Sequence, residues 1–327
     1  LVEEVSGKAW EEVVAERIFE PLDMGRSTFG APLAGDGNTA MPHVRSSDGR
    51  VVEVPFYEGW AVGPASSIYS SANDLAAWLR FQLGGPVDRR VIASETLRET
   101  QRPQMVVDRP ATPAFPMTSY GLGWFIQPYR GHLFLWHTGS IDGYFALVGF
   151  LPGDDLGIAV LSNRSEHRVP EVVTRWVIDR FLDLGEIDWH SRLLAQEQAM
   201  DAKAAAARAQ VLEGSASGGG PPLPVEAYAG RYSHPAYGEL EVRAEEGVLW
   251  GGYHGIAGRL FHHAADVFIF EATSEIFKDI FQLSFRRDAS GRIVSVSSPL
   301  AKGVAPVVFL RMPEPAGSAL SPSSNDS

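Results

Sequence analysis

Cysteine is absent from the 327 residues, and basic charge is scarce. Without cysteine the chain can form no disulfide, no zinc–thiolate site and no cysteine nucleophile. The net charge of −12 argues against a nucleic-acid partner, because phosphate contacts need clustered Lys and Arg. No apolar run approaches the ~20 residues that span a bilayer, so we predict no membrane span in this chain. Composition leaves the oligomeric state open, and it leaves periplasmic, secreted and cytoplasmic locations equally open.

Several catalytic motifs are also missing. No Ser has Gly two positions before and two positions after it, so there is no nucleophile elbow. No H-E-x-x-H and no Walker-type phosphate loop occurs. His254, His262 and His263 have no carboxylate at metal-ligand spacing, and we interpret them as partly exposed strand residues. The sequence therefore predicts no metal site and no cofactor.

The stretch Leu133–Asn163 predicts three consecutive antiparallel strands. Its Val-, Leu-, Phe- and Ile-rich runs are separated by two predicted connections, Gly139–Gly143 and Pro152–Gly157. The run His137-Thr138-Gly139-Ser140 is then expected at the end of the first strand. An isolated His on a strand is usually structural. Here a titratable ring, a hydroxyl and a small-residue turn fall together, which makes the run the candidate active site.

Helical patterns flank this stretch. Ser71, with Asp74 three residues later, predicts a capped helix whose apolar face is Leu75, Trp78, Leu79 and Leu83 and whose stop is Gly84-Gly85. A second helix is predicted near Pro170, with its buried face at Val173, Trp176, Val177 and Phe181. A short hairpin is expected around Asp48-Gly49.

The C-terminal third has a different period. An Ala-rich helical spacer and the linker Ser215–Pro224 precede short runs in which apolar residues alternate. The pairs Leu240/Val242, Val248/Trp250, Phe268/Phe270 and Leu283/Phe285 fit an antiparallel barrel or sandwich of about ninety residues. Asp288–Gly291 reads as a hairpin loop. Small barrels are usually filled by side chains, so a structural or gating role is favoured over a ligand of its own.

Segments in both halves resemble a known family. The sequence resembles the serine β-lactamase and penicillin-binding-protein-like hydrolases of the class C, S12-type peptidase and esterase group. Residues 223–312 look like the lipocalin-like barrel appended to some of them. The resemblance is carried by residues 5–28, 63–79, 119–126, 137–144 and 158–163, and in the barrel by 227–242 and 306–313.

The resemblance implies an α+β fold, an antiparallel sheet flanked by helices, followed by a small antiparallel β-barrel. The expected organisation is a hydrolase portion over residues 1–187, a spacer and linker over 188–222, the barrel over 223–312, and a disordered tail over 313–327.

The resemblance also implies roles at the candidate site. His137 and Ser140 would be catalytic, His137 in the proton network and Ser140 through a backbone N–H in the oxyanion hole. Thr138, Gly139 and Ser66 would contact a small-molecule or peptide substrate, with small residues at Ser66 opening the pocket.

Two family motifs are missing from the chain. The four lysines, Lys8, Lys203, Lys278 and Lys302, have no Ser three residues earlier, and no Tyr precedes an Asn by two. We therefore expect a fragment whose N-terminal part, with the nucleophile, any signal peptide and the first two strands of the sheet, is missing. The chain alone would then be inactive and its strand at 157–161 would lie at a sheet edge. The parent would be an esterase, D-amino-acid peptidase or β-lactamase; the alternative is a non-catalytic relative that binds peptides or cell-wall fragments.

Overall fold

The computed structural model describes residues 1–30, 38–46, 48–56, 63–85, 91–108, 117–141, 143–165, 167–217, 220–274, 280–299 and 304–313. The chain divides into two compact units, Leu1–Gln198 and Ala199–Ser327. No helix in the described ranges has both the length and the hydropathy that crossing a membrane requires. The tail predicted to be disordered lies outside the described residues from 314 onward.

Seven α-helices lie in the described ranges, and α2 continues as a π-helical turn over Ala15–Phe19. Their bounds are α1 Val2–Ser6, α2 Trp10–Val14, α3 Gly63–Ser66, α4 Ala72–Gln82, α5 Ser94–Thr100, α6 Val169–Phe181 and α7 Trp189–Ser217. The Ala-rich helix predicted from the sequence is α7. It runs to Ser217, into the predicted linker, and includes the single Gly214; the consecutive Gly and Pro residues, the weakest helix formers, begin only at Gly218.

The first unit contains a six-stranded antiparallel sheet in the order β10-β9-β8-β7-β6-β5 and two small two-stranded pairs. The strands are β1 Thr28–Phe29, β2 His43–Arg45, β3 Val51–Glu53, β4 Ile68–Tyr69, β5 Met105–Val106, β6 Ser119–Tyr120, β7 Phe125–Tyr129, β8 His132–Ile141, β9 Tyr144–Leu151 and β10 Leu156–Ser162. The hairpin predicted around Asp48-Gly49 is confirmed as β2–β3. β10 stands at the end of the sheet order, as expected.

Helix α4 covers one face of the sheet. The Ser71 hydroxyl accepts the Asp74 N–H at 3.2 Å and caps the helix, as predicted. Leu79 packs with Leu135, Phe150 and the neighbouring Trp124 in one buried cluster. Of the predicted apolar face, Leu79 is buried and Trp78 and Leu83 pack partly buried against the same cluster, whereas Phe81 and Gln82, which lie outside that face, are buried as well. The burial of Leu79 holds this helix against the sheet, chiefly against β10 and β9.

Helix α6 covers the opposite face of the sheet, and its predicted buried side is wrong. Pro170, Thr174, Ile178 and Asp179 are buried, whereas Trp176 and Phe181 remain 57% and 73% exposed. The orientation follows from Ile178, which packs beside Tyr129, Phe134 and Leu151, and from Asp179, whose carboxylate is held by three buried or half-buried donors. The contacts of the buried Asp179 carboxylate therefore determine which side of α6 faces the sheet, although the side with Trp176 and Phe181 is more apolar.

One predicted strand limit also needs correction. The first strand of the stretch Leu133–Asn163 does not end before Gly139: β8 runs to Ile141, and Gly139 and Ser140 still pair with Ala146 and Phe145. The run from Tyr120 to Ile126 holds a tight turn between β6 and β7. There the Gly121 N–H bonds the Trp124 carbonyl at 2.8 Å, because a hairpin needs that reversal.

The second unit is a closed barrel of eight antiparallel strands, each paired with the next and β18 paired back to β11. The predicted choice between barrel and sandwich is thus settled in favour of the barrel. A short 3₁₀ helix over Val225–Ala227 precedes it. The strands are β11 Gly230–His234, β12 Gly238–Glu245, β13 Val248–Tyr253, β14 Ile256–Ala264, β15 Val267–Ala272, β16 Ile280–Arg287, β17 Ile293–Ser298 and β18 Val307–Arg311.

The barrel interior is one hydrophobic core. Tyr228, Tyr232, Phe268 and Phe285 meet edge to face within it. The predicted inward positions hold for β12 and β16, but on β13 the buried residue is Leu249 and not Val248 or Trp250. Glu246 and Gly247, both with positive φ, make the preceding turn and fix that register. The Asp288–Gly291 hairpin loop is confirmed.

Candidate active site

Strand β8 loses one of its two neighbours halfway along its length. Its pairing with β7 runs from Tyr129–His132 to Phe125–Trp136 and stops there. Its pairing with β9 continues to Ile141–Tyr144. Within the described residues, the segment from His137 to Ile141 therefore has a strand on one side and an open edge on the other.

The two hairpins determine which backbone groups face that edge. Two residues connect β7 to β8 and two connect β8 to β9, so Tyr129–His132 and Ile141–Tyr144 are closing, hydrogen-bonded pairs. Hydrogen-bonded and non-bonded pairs alternate along antiparallel strands. Odd-numbered residues of β8 consequently bond to β9, whereas the N–H groups of Thr138 and Ser140 point towards the open edge.

His137 lies where this edge begins and is exposed. Its Nε2 is 3.0 Å from the hydroxyl oxygen of Tyr120 on β6. The ring of Phe125 stacks on the imidazole, with centroids 5.5 Å apart and an interplanar angle of 23°. Two aromatic residues from the neighbouring strands thus hold the imidazole beside the open N–H groups.

An aromatic cluster lies at the far end of the same hairpin. The Tyr144 ring meets the Tyr69 ring edge to face at 5.7 Å and stacks on Phe56 at 6.4 Å. Its hydroxyl donates to the Ala40 carbonyl at 2.5 Å. Burial and the neighbouring Tyr69 raise the pKa of Tyr144 to about 12, so this phenol stays a donor at neutral pH.

The segment around Pro42 is fastened to the β8–β9 turn. The His43 N–H bonds the Gly143 carbonyl at 3.1 Å, and the Asn163 side chain bonds the Met41 carbonyl at 2.9 Å. Gly143 has φ +82° and sits so close to Pro42 that a Cβ would lie 2.7 Å from the His43 nitrogen. Glycine is therefore required at this turn.

Ser66, predicted to contact substrate, ends helix α3, which leads directly into β4. It is half-buried and lies three residues before Tyr69, whose ring reaches Tyr144. The structure thus places His137, Thr138, Gly139 and Ser140 on one strand and connects Ser66 to their neighbourhood through Tyr69. The roles predicted for these five residues stay predictions.

One serine–histidine pair has the spacing of a nucleophile and its base. The Ser162 hydroxyl oxygen is 2.8 Å from Nε2 of His167. However, Nδ1 of that ring accepts the Val169 N–H at 3.2 Å, so the neutral ring carries its proton on Nε2 and donates it to Ser162. Burial, and then the nearby Arg164, lower the pKa of His167 and keep the ring neutral. Because His167 donates this hydrogen bond, it cannot act as the base that removes the proton of the Ser162 hydroxyl.

Sequence reasoning missed Tyr120, Tyr69 and Phe56. Tyr120 precedes His137 by seventeen residues and reaches it only because β6, β7 and β8 fold into consecutive hairpins. In the described ranges, His, Cys, Asp and Glu side chains form no group of three or more that could hold a metal ion.

Comparison with known proteins identifies two matching families. Residues 1–182 match the family described as "Beta-lactamase", and residues 215–308 match "Domain of unknown function (DUF3471)". Unguisins hydrolase ungD of Aspergillus violaceofuscus is 26% identical over 267 residues, covering 74% of this chain and 47% of that protein. Protein flp of Staphylococcus aureus strain MW2 is 23% identical over 173 residues, covering 53% of this chain and 32% of that protein.

A solved structure shares the fold. The octameric penicillin-binding protein homologue from Pyrococcus abyssi superposes with a TM-score of 0.51 at 22% identity, over 94% of this chain and 61% of that one. The chain spans about half the length of unguisins hydrolase ungD and about a third of that of protein flp.

Proposed function

Because the chain belongs to the beta-lactamase family, a family of serine hydrolases, we propose that it is the C-terminal part of a hydrolase that acts through a serine acyl-enzyme. The observation that carries this proposal is the open edge of β8. There an imidazole and two outward N–H groups lie within four residues. Outward N–H groups at such an edge are suited to an oxyanion, the charge that develops during acyl transfer.

Each predicted residue has a role in this proposal. The Ser140 N–H is one oxyanion-hole donor. His137, next to the Tyr120 hydroxyl, moves or holds a proton near the leaving group. Thr138 offers its hydroxyl to substrate, Gly139 leaves room for it, and Ser66 borders the pocket. The hydrolase portion covers residues 1–187. A spacer follows over residues 188–222, and a lipocalin-like barrel covers residues 223–312.

The nucleophile belongs to residues outside this chain. No S-x-x-K and no Tyr-x-Asn occurs in the sequence, and Ser162 receives a proton from its histidine instead of giving one up. The ungD and flp relatives are two to three times as long as the part this chain matches, which leaves room for the missing motifs. Esters, D-amino-acid peptides and β-lactams are the substrate classes proposed.

Covalent labelling tests the proposal. A fluorophosphonate probe and the release of p-nitrophenol from p-nitrophenyl acetate are followed for this chain and for the longer protein that includes its preceding residues. We expect no labelling and no burst from this chain. The longer protein should label at a Ser of an S-x-x-K motif, and His137→Ala should lower its acylation rate about 10²-fold.

His132 supplies the matched control. It lies on the same strand, five residues from His137, and pairs with Asp154 at 2.9 Å. His132→Ala should leave acylation within about twofold. Labelling of any Ser in residues 1–327 would overturn the proposed place of the nucleophile. A longer protein that has no S-x-x-K and does not label, yet binds peptides or cell-wall fragments, would establish the non-catalytic alternative.

A further inference from the structure

The two ends of the barrel differ in charge. Strands β12, β14 and β16 run to one end, and the turns that follow them contain Glu246, Asp266 and Asp288. There Tyr228 is fully buried and donates its hydroxyl to Asp266 at 2.6 Å. Strands β11 and β13 run to the other end, which we call the mouth. Their turns, Pro235–Tyr237 and His254–Gly255, are described in full and contain no charged residue.

The mouth is lined by side chains that point into the barrel. Tyr232 and Val296 belong to the buried core, and residues two positions apart on a strand share a face. His234 and Ser298, the last residues of β11 and β17, therefore point inward as well. Around them lie five apolar residues that pack on the core and are only partly buried: Tyr253, Ile256, Ala272, Phe281 and Val307. A mostly apolar lining with a few polar groups is typical of a small-molecule site.

Both inward polar groups have a proton to donate and no acceptor among the described residues. Ser298 is 2% exposed, and its hydroxyl is buried without a hydrogen-bond partner. Nδ1 of His234 accepts the Ala236 N–H at 3.1 Å, so the neutral imidazole carries its own proton on Nε2. That ring is half-buried and is held between the rings of Tyr237 and Phe309. Buried polar groups in native proteins are normally paired, so these two donors indicate a missing acceptor.

We propose that the mouth binds a small neutral molecule that has an apolar ring and a carbonyl oxygen. The ring would lie on the partly buried side chains of Ile256 and Phe281. The carbonyl would accept the proton of Ser298, whose hydroxyl can rotate, or that of His234 at the rim. A charged molecule would lose its hydration and find no counter-ion in the described lining. This inference goes beyond the proposed hydrolase function, because it concerns the barrel alone and gives it a ligand where the sequence favoured a structural or gating role.

Acetophenone is a suitable probe, because it is neutral and has one ring and one carbonyl. It is titrated against the ¹⁵N-labelled chain by NMR, with benzoate as the charged compound of similar size. Acetophenone should produce saturable shifts at the Ala272, Ser298 and Val307 amides, with a Kd of ~1–10 mM, the range usual for so small a ligand. The Glu246 and Asp288 amides at the opposite end should not shift, and benzoate should bind at least about tenfold more weakly. Equal binding of the two compounds, or no saturable shift at the mouth, would overturn the proposal.

Two variants remove the donors. Ser298→Ala should weaken acetophenone binding about fivefold if the carbonyl bonds this hydroxyl, and His234→Phe should do so if it bonds the imidazole. Ser298→Ala should not lower the melting temperature, because no described residue loses a hydrogen bond. Ser297→Ala, on the outer face of the same strand, is the control and should leave binding unaltered. Binding that neither Ser298→Ala nor His234→Phe weakens would refute the assignment.

A third variant fills the mouth. Ala272→Leu enlarges an inward side chain opposite Gly258 and should abolish the acetophenone shifts while the rest of the spectrum stays folded. Ala257→Leu makes the same change at the exposed neighbour of Gly258 and should leave binding unaltered. Shifts that persist in a folded Ala272→Leu chain would show that the molecule binds elsewhere. If Ala272→Leu does not fold, the Ser298 and His234 variants still decide the question.

Discussion

Asp179 on α6 holds three parts of the first unit together. Its carboxylate is 6% exposed and accepts the Tyr129 hydroxyl at 2.8 Å and the Trp189 indole N–H at 2.7 Å. Arg130 completes the set with a 2.8 Å ion pair. The partners come from the end of β7, the turn that follows it and the start of α7. We predict that Asp179→Ala is the most destabilising polar-to-alanine change in this unit.

The contacts give the magnitude. A hydrogen bond to a charged group contributes about 1.5–3 kcal/mol, and removing one partner of a buried charge pair costs about 3–5 kcal/mol. Arg130 is partly exposed and keeps its bonds to the Leu184 and Gly185 carbonyls, so it is not stranded. Trp189 and Tyr129 are buried; Trp189 would lose its acceptor, and Tyr129 would keep only its longer 3.4 Å bond to the Arg175 carbonyl. We expect Asp179→Ala to lower the free energy of unfolding by about 3–5 kcal/mol.

Urea unfolding followed by tryptophan fluorescence measures the change. With an m-value of about 2 kcal/mol/M, the midpoint should fall by roughly 1.5–2.5 M. The chain has two compact units, so a transition reporting on the barrel should stay where it is. Asp179→Asn retains one acceptor oxygen and should cost about half as much. Tyr129→Phe removes the hydroxyl that bonds Asp179 and, at 3.4 Å, the Arg175 carbonyl, and should cost about 1–2 kcal/mol.

The exposed ion pair Arg180–Glu186, one residue further along α6, is the control. Its 3.3 Å contact lies in solvent, so Arg180→Ala should change the unfolding free energy by less than about 0.5 kcal/mol. If Asp179→Ala and Arg180→Ala had the same effect, the buried carboxylate would not be the anchor described.

Three further changes test other parts of the site. Tyr120→Phe removes the hydroxyl beside His137, and kcat of the longer protein should fall about fivefold with KM within about twofold, since one hydrogen bond contributes about 1 kcal/mol. Gly143→Ala forces a side chain against Pro42 at φ +82° and should lower the unfolding free energy by about 2–4 kcal/mol in thermal denaturation. Burial holds the pKa of His167 below 6.5, so the unfolded chain takes up this proton more readily. The resulting stability is complete above pH 6.5 and is lost as the pH falls through the lowered pKa, and His167→Gln should flatten that loss.

Each of these changes has a control or an opposing result. Gly153 lies in another turn with open space around it, so Gly153→Ala should be nearly neutral. His190 is exposed on α7, and His190→Gln should leave the pH profile unchanged. A Tyr120→Phe enzyme with a raised KM and unaltered kcat would mean that Tyr120 binds substrate and does not position the imidazole.

The features predicted well are those set by local chemistry. Helix α4 was predictable because Ser71, Asp74 and the terminal glycines each have a local effect, although Phe81 and Gln82, outside its predicted apolar stripe, are buried beside Leu79. The barrel was predictable because residues alternate at period two. The register of the barrel strands was harder to predict. On β13, Leu249 faces the interior because of the turn at Glu246 and Gly247, and the alternation of apolar residues does not determine the geometry of that turn.

The features predicted badly depend on distant contacts. The buried side of α6 was wrong because Asp179 meets Tyr129, fifty residues earlier, and no periodicity contains that pair. The length of β8 was wrong because Gly139 and Ser140 resemble a turn, while their pairing with β9 continues the strand. Tyr120 reaches His137 only because β6, β7 and β8 pair in sequence, and the residue spacing alone does not predict that contact.

The two units of this chain differ in how their sheets end. The barrel closes through the pairing of β18 with β11, so all of its strands have two neighbours. In the first unit, β10 ends the sheet with the uncharged sequence LGIAVLS, and Leu161 is exposed there. An apolar edge without charge or proline can pair with another copy of itself. Self-association of this chain should therefore begin at β10 and spare the barrel, and Leu161→Lys should suppress it.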